Sequence, residues 1–337
     1  MNDIGQLLMI GIEGTKVSDD LKSFIKESNV GGVILFKRNC AKLRQIFDLI
    51  NELQDISDTP LIVGLDEEGG RVSRLPEQFT KYPAMRDVGR VDTDGSIAHK
   101  IGETLGRELR TVGFNINFAP VLDVSTDAFN PVIGDRAFAS DPAVVSKLAL
   151  EFIRGMESMG VGGCGKHFPG HGDTDVDSHK GLPVLNHTRR RFDTCEFIPF
   201  REVAKAGVSS MMIAHLMAPN LDPNEPSSIS RKIVDGILRK EMGYDGLIFS
   251  DDLTMKGLAD LHAPSESAWM TINAGCDIAM VCSENLELHR SVMESLKRAS
   301  DDGNLLQDRI AETLKRIDSF KKMFCSHRNP LPLDIAK

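Results

Sequence analysis

The chain has 337 residues, room for about two domains at about 100–200 residues each, although α/β barrels run past about 250 residues as one unit. Hydrophobic residues make up 41% and charged residues 26%, the balance of a globular chain whose core needs no disulfide or metal staple. Against 49 acidic residues stand 40 basic ones, and the net charge of −9 repels phosphate backbones, which argues against nucleic acid as a partner.

Short apolar runs alternate with amphipathic ones along the chain. Strands are predicted over residues 7–12, 32–36 and 61–65, then, after a helical pattern at 98–112, over 114–124. A helix over 142–159 precedes a strand at 161–168, and a further strand follows at 208–215. Residues 233–242 read as helix, 246–250 and 276–282 as strands, and 305–323 as a last helix with Leu306, Ile310, Leu314, Ile317 and Phe320 on one face. Most strand runs are continuously apolar, as strands covered on both faces are. Eight strands alternating with helices predict an α/β fold, a single (β/α)8 barrel over 1–337, with a doubly wound open sheet as the competing arrangement. No linker, repeat or low-complexity stretch marks a boundary.

No apolar run approaches the ~18 residues that span a bilayer, and the first twenty residues carry no basic start or signal-type block. The six cysteines (Cys40, Cys164, Cys195, Cys276, Cys282 and Cys325) form no CxxC pair. Free, buried thiols in a cytoplasmic protein without a membrane partner are the expectation.

Ionisable residues collect where the strands end. Asp66-Glu67-Glu68 follow the third run, Asp123 the fourth, Lys166-His167 the fifth, His215 the sixth and Asp251-Asp252 the seventh. Any one of these carboxylates is accounted for as a helix N-cap. Five strand ends so equipped point instead to the barrel face where chemistry is carried, since an unpaired buried charge is costly.

Residues 165–185 hold three His, three Asp and two Lys. Gly170 and Gly172 bracket His171, which predicts an unusual backbone there. Three readings compete. A metal site on His167, His171 and His179 fits no common zinc spacing, and Asp173, Asp175 and Asp177 lack the Gly and Glu of a calcium loop. A merely solvated acidic loop is the second. The third is a proton-transfer pair, Asp177 and His179, two apart and so on one side of an extended chain, where the carboxylate would orient an imidazole that serves as acid and then base. The letters of residues 160–165 match GxGxxG but precede a strand, so no dinucleotide site is expected. In 249–257, two adjacent carboxylates can divide their labour, one facing the mouth and able to attack an anomeric carbon, the other capping the next helix. Arg71, Arg74, Arg136 and Lys166 are candidate clamps for hydroxyls.

These stretches resemble a known family. Lys166-His167-Phe168-Pro169-Gly170-His171-Gly172 followed by Asp177-Ser178-His179 is similar to the signature of bacterial β-N-acetylhexosaminidases of glycoside hydrolase family three. Residues 65–72, residues 134–138 and the stretch Phe249-Ser250-Asp251-Asp252-Leu253 resemble three further blocks, in order along nearly the whole chain. The resemblance implies a single barrel, Asp251 as nucleophile, His179 as acid/base paired with Asp177, and Asp66, Arg74, Arg136, Lys166 and His167 around a terminal N-acetylglucosamine. Glu67 stands where relatives often carry Gln. The chain ends soon after the 276–282 run, so a second domain is not expected. The resemblance further implies a cytoplasmic enzyme of cell-wall recycling that acts on anhydromuropeptides with no cofactor and no metal, as a monomer or weak homodimer.

The implied mechanism is retaining: Asp251 attacks C1 while His179 protonates the leaving oxygen, and water then releases the sugar. A phosphorylase, a β-glucosidase on the same fold, substrate-assisted cleavage with Asp66-Glu67, a metal-dependent hydrolase and a non-catalytic sugar binder are the competing readings. One Trp (Trp269) and two Tyr (Tyr82, Tyr244) leave few stacking platforms for a long polysaccharide. Trp269 lies in a helical pattern and is expected to pack. A small polar pocket for one terminal sugar follows.

Overall fold

Continuous apolar strands need cover on both faces, and the chain provides it by closing its sheet and ringing it with helices. The computed structural model describes residues 3–127, 130–174 and 181–326. Its strands are β1 (Leu8–Gly11), β2 (Gly32–Ile34), β3 (Ile62–Leu65), β4 (Ile116–Asn117), β5 (Gly162–Phe168), β6 (Ser210–Ile213), β7 (Leu247–Asp252) and β8 (Ile278–Val281). They pair in sequence order, all parallel, and β8 returns to β1 through Leu8↔Ala279 and Ile10↔Val281. The sheet is a closed (β/α)8 barrel, and the open doubly wound sheet is ruled out.

Every strand residue is buried except Asp251 and Asp252 at the C-terminal end of β7. Phe118, just after β4, meets Phe249 of β7 edge to face at 5.2 Å. These strands are not neighbours, so the rings touch across the barrel interior. Asp251, two residues further along β7, lies at the mouth of the barrel.

The expected strand at 114–124 is shorter than its apolar run. Pro120 has no N–H to give a ladder. Pairing resumes as a lone bridge, Val121↔Lys166. The helix Ser96–Val112 stops at Gly113, whose φ of 101° no side-chain-bearing residue adopts readily, and the chain turns there into β4. The helix Pro142–Ser158 starts from Asp141, whose side chain accepts from Ala143 N. The predicted helix at 233–242 is present as a π-helix, Lys232–Glu241. In the last helix, Gln307–Phe324, Ile310, Ile317 and Phe320 are buried as expected, whereas Leu306 is its N-cap and 55% exposed. At the opposite end of the barrel, Arg239 and Arg309 converge on the fully buried Asp277, with Arg309 at 3.0 Å. No helix among the described residues is long and apolar enough to cross a membrane. All six thiols are free, and all but Cys282 are buried.

Candidate active site

The C-terminal ends of the strands enclose a cavity of about 280 Å³, lined by Asp66, Glu68, Arg74, Arg136, Lys166, His167 and Asp251 among others. That is just below the usual span of ligand pockets, about 300–1,000 Å³.

Its floor is a clamp of alternating charges. Lys166, on β5, places Nζ 2.7 Å from Asp66 Oδ1 and 2.6 Å from Glu68 Oε1. Arg136 grips Glu68 with two parallel bonds, Nε to Oε2 and Nη2 to Oε1, each 2.7 Å. A bidentate guanidinium–carboxylate pair fixes orientation as well as charge. Burial pushes the Glu68 carboxyl up, but the charges of Arg136 and Lys166 outweigh it and hold the group well below the carboxylate range. Burial pulls the Lys166 ammonium down, and Asp66 and Glu68 more than offset this, so it stays charged. Arg74 reaches Asp66 at 3.4 Å from the rim.

Glu67 turns away from the cavity. Its Oε2 accepts from Arg74 N (2.7 Å) and Leu75 N (3.2 Å), which fixes the backbone that carries Arg74. Burial pushes its carboxyl up, partly offset by bonds from Ser73, Arg74 and Leu75.

Behind the clamp lies a buried carboxylate, Asp123. Its Oδ2 is 2.7 Å from His167 Nδ1, and its Oδ1 accepts from His171 N at 2.7 Å. This fixes the His167 ring and leaves Nε2 on the side of Arg136, 3.4 Å from Nη2. His171 Nδ1 is 2.6 Å from Thr174 Oγ1, and burial lowers its proton affinity. The backbone around His171 is as expected: Gly170 has a φ of 123°, and a Cβ on Gly172 would run into the carbonyl of Val124.

The two carboxylates of β7 divide their work. Asp252 Oδ1 accepts from Thr254 N and Cys282 N, both at 3.0 Å, and its Oδ2 from Thr254 Oγ1 at 2.7 Å. Asp252 is thus consumed in holding the turn after β7. Asp251 lines the cavity and takes one bond from its neighbour, Asp252 N to Oδ1 at 2.8 Å. Burial pushes its carboxyl up, but neighbouring groups, among them the N–H of Asp252 and the Lys166 ammonium, hold it below the usual carboxylate range, which favours the ionised form that a nucleophile needs.

Asp66, Arg74, Arg136, Lys166, His167 and Asp251 therefore meet in one cavity. Asp177 and His179 lie outside the described residues. Three cavity or near-cavity groups, Glu68, Asp123 and His171, were absent from the expected site. Their signal was present, because Glu68 and Asp123 follow strand ends and His171 sits between glycines, but spacing alone does not tell a charge aimed into a barrel from a cap. Among the aromatics, Phe36 lines the cavity, while Trp269 packs against the core and Tyr82 bonds Glu108 at 3.2 Å. Among the described residues no group of three His, Cys, Asp or Glu side chains is arranged to hold a metal ion.

Residues 1–320 match the glycosyl hydrolase family 3 N terminal domain. A β-hexosaminidase of Thiobacillus denitrificans is 40% identical over 281 residues, 82% of this chain and 78% of that protein. A glycoside hydrolase family 3 β-N-acetylglucosaminidase structure from a Paenibacillus species is 36% identical with a TM-score of 0.93, covering 99% of this chain and 66% of that one. The structure of NagZ from Neisseria gonorrhoeae in complex with N-trifluoroacetyl-D-glucosamine is 32% identical with a TM-score of 0.80, covering 92% of this chain and 89% of that one.

Proposed function

The chain belongs to glycosyl hydrolase family 3 as a glycoside hydrolase of the β-N-acetylhexosaminidase kind, and from that premise we propose that it removes terminal, non-reducing β-linked N-acetylglucosamine with retention, through a glycosyl-enzyme on Asp251. The observation that carries this reading is the division between the β7 carboxylates. Asp252 spends its oxygens on Thr254 and Cys282, whereas Asp251 lines the cavity wall and takes a single backbone bond from Asp252 N.

Asp66, Arg74, Arg136, Lys166 and His167 hold the sugar hydroxyls. Carboxylates accept and cations donate, so the alternating clamp suits a ring bearing both kinds of partner. Charge builds on the ring in an oxocarbenium-like transition state, and the nearby Asp251 carboxylate stabilises it before the bond closes. His179, oriented by Asp177, gives its proton to the leaving oxygen. It then deprotonates the water that releases the sugar. The cavity takes one sugar, which suits cleavage from a chain end. The substrate class is the N-acetylglucosaminyl anhydromuropeptides of cell-wall turnover, met in the cytoplasm; the support is the likeness to NagZ and a pocket too small for an internal stretch of polysaccharide.

A panel of aryl β-glycosides with and without the 2-acetamido group tests the substrate claim. Turnover confined to the 2-acetamido sugars supports it. Turnover of plain glucosides alone overturns it.

A further inference from the structure

A buried relay of hydrogen bonds runs from β6 to the back of Asp251, and none of its members lines the sugar cavity except the carboxylates it ends on. His215 follows β6 and is fully buried. Its Nε2 lies 3.0 Å from the carbonyl oxygen of Asp252, and its Nδ1 lies 2.6 Å from Ser228 Oγ. The N–H of Asp252 in turn donates to Asp251 Oδ1. We infer that His215 is a positioning residue for the reaction: held by Ser228, it fixes residue 252 from behind and so sets the aim of the Asp251 carboxylate. This rests on the reading of Asp251 as nucleophile.

The tautomer follows from the partners. A carbonyl oxygen only accepts, so Nε2 carries the hydrogen. Nδ1 then offers a lone pair, and the Ser228 hydroxyl donates into it. Both ring nitrogens are satisfied with the imidazole neutral, and burial lowers its proton affinity in keeping with that. Ser228 is itself fixed: its carbonyl accepts from Thr271 Oγ1 at 2.7 Å, and its neighbour Ser227 donates from Oγ to the Ala214 carbonyl at 2.6 Å. The ring therefore cannot swing without breaking contacts in the interior.

The strand register explains why such a hold is needed. β7 pairs with β6 up to Ile213↔Ser250. On its other side it pairs with β8 at Phe249↔Ile278 and next at Asp252↔Met280, so Ser250 and Asp251 of β7 stand against the single Ala279 of β8. A bulge of this kind re-aims a side chain and takes its backbone out of the regular ladder. The displaced Asp252 carbonyl finds two other donors, Met255 N at 3.0 Å and His215. Met255 N secures the turn that follows. His215 ties the bulge to the neighbouring strand.

The test compares His215→Ala, His215→Gln and Ser228→Ala, with Asp251→Ala beside them. A misplaced nucleophile should lower kcat by about 10²-fold in His215→Ala, with KM within about twofold. The loss should be similar for activated aryl and poor leaving groups, because Asp251 attacks in the first step and departs in the second. Gln keeps a donor for the Asp252 carbonyl and should recover most of the loss. Ser228→Ala should show a smaller fall in kcat, again at constant KM, and adding it to His215→Ala should cost little more. Wild-type kcat in folded His215→Ala overturns the inference, as does a Gln variant no better than Ala. Should His215→Ala not fold, Ser228→Ala decides: a fall in kcat alone supports the role, and unchanged kcat overturns it. An active Asp251→Ala would instead overturn the nucleophile reading itself.

Discussion

Lys166 Nζ and Asp66 Oδ1 meet at 2.7 Å although one hundred residues separate them, and the same ammonium holds Glu68. Lys166 and Glu68 are each only 2% exposed at the side chain, so bulk solvent replaces a lost partner poorly. Lys166→Met should therefore destabilise the fold by about 3–5 kcal/mol, the size seen when one member of a buried pair is removed. It should also raise KM. Part of the loss should return as pH falls, because protonation relieves the stranded carboxylates. Chemical denaturation at two pH values checks this, and unchanged stability would speak against the clamp as a coupled unit.

His179 is assigned a proton, not a bond to carbon. Replacing it should slow substrates with poor leaving groups by about 10²–10⁴-fold, the usual contribution of general acid catalysis, while activated aryl glycosides lose far less in their first step. Rates across a leaving-group series measure this. Equal losses on both classes would remove the acid role.

His289 makes the fold sensitive to acid. It is buried against Phe24, the ring centroids 6.2 Å apart, and burial pulls its pKa from 6.5 down to about 4. Between those values the unfolded chain takes up a proton that the native chain refuses. Stability is then full above pH 6.5 and is lost as pH falls toward 4, by about 3 kcal/mol from this residue. His171 and His215, also lowered by burial, act in the same direction. Glu67 and Glu157, raised by burial, act oppositely above their normal range. Unfolding free energies at pH 7 and 4.5 should show a smaller drop in His289→Leu than in the wild type. Equal drops would contradict the assignment.

The barrel was legible because its strands are covered on both faces, so that runs such as 61–65 and 161–168 stand out as unbroken apolar stretches. What did not show was where pairing stops. Pro120 ends the β4 ladder early, and the bulge after Phe249 shows only once β7 is paired with β8. The site was legible to the extent that charge at a strand end is hard to bury. Asp66, Lys166 and Asp251 were visible on that ground. Which of two adjacent acids faces inward came from the family resemblance and not from spacing, since Asp252 is committed by Thr254 and by Cys282, thirty residues on. Glu67 and Glu68 look alike in sequence and differ in role because their side chains leave the chain in opposite directions, one toward Arg74 N and the other toward Arg136. Leu306 fitted the apolar periodicity of the last helix and yet caps it, because helix period does not mark the first turn.

Asp251 is proposed as the residue that bonds to the sugar, and covalent trapping tests that role most directly. A fluorinated N-acetylglucosamine analogue with a good leaving group slows release more than attack. Mass analysis of the digested, inactivated enzyme should find one sugar added to the peptide that contains Asp251, with Asp251→Ala unlabelled, inactive and still able to bind the sugar. A sugar attached elsewhere, or near-normal turnover by Asp251→Ala, would contradict the account.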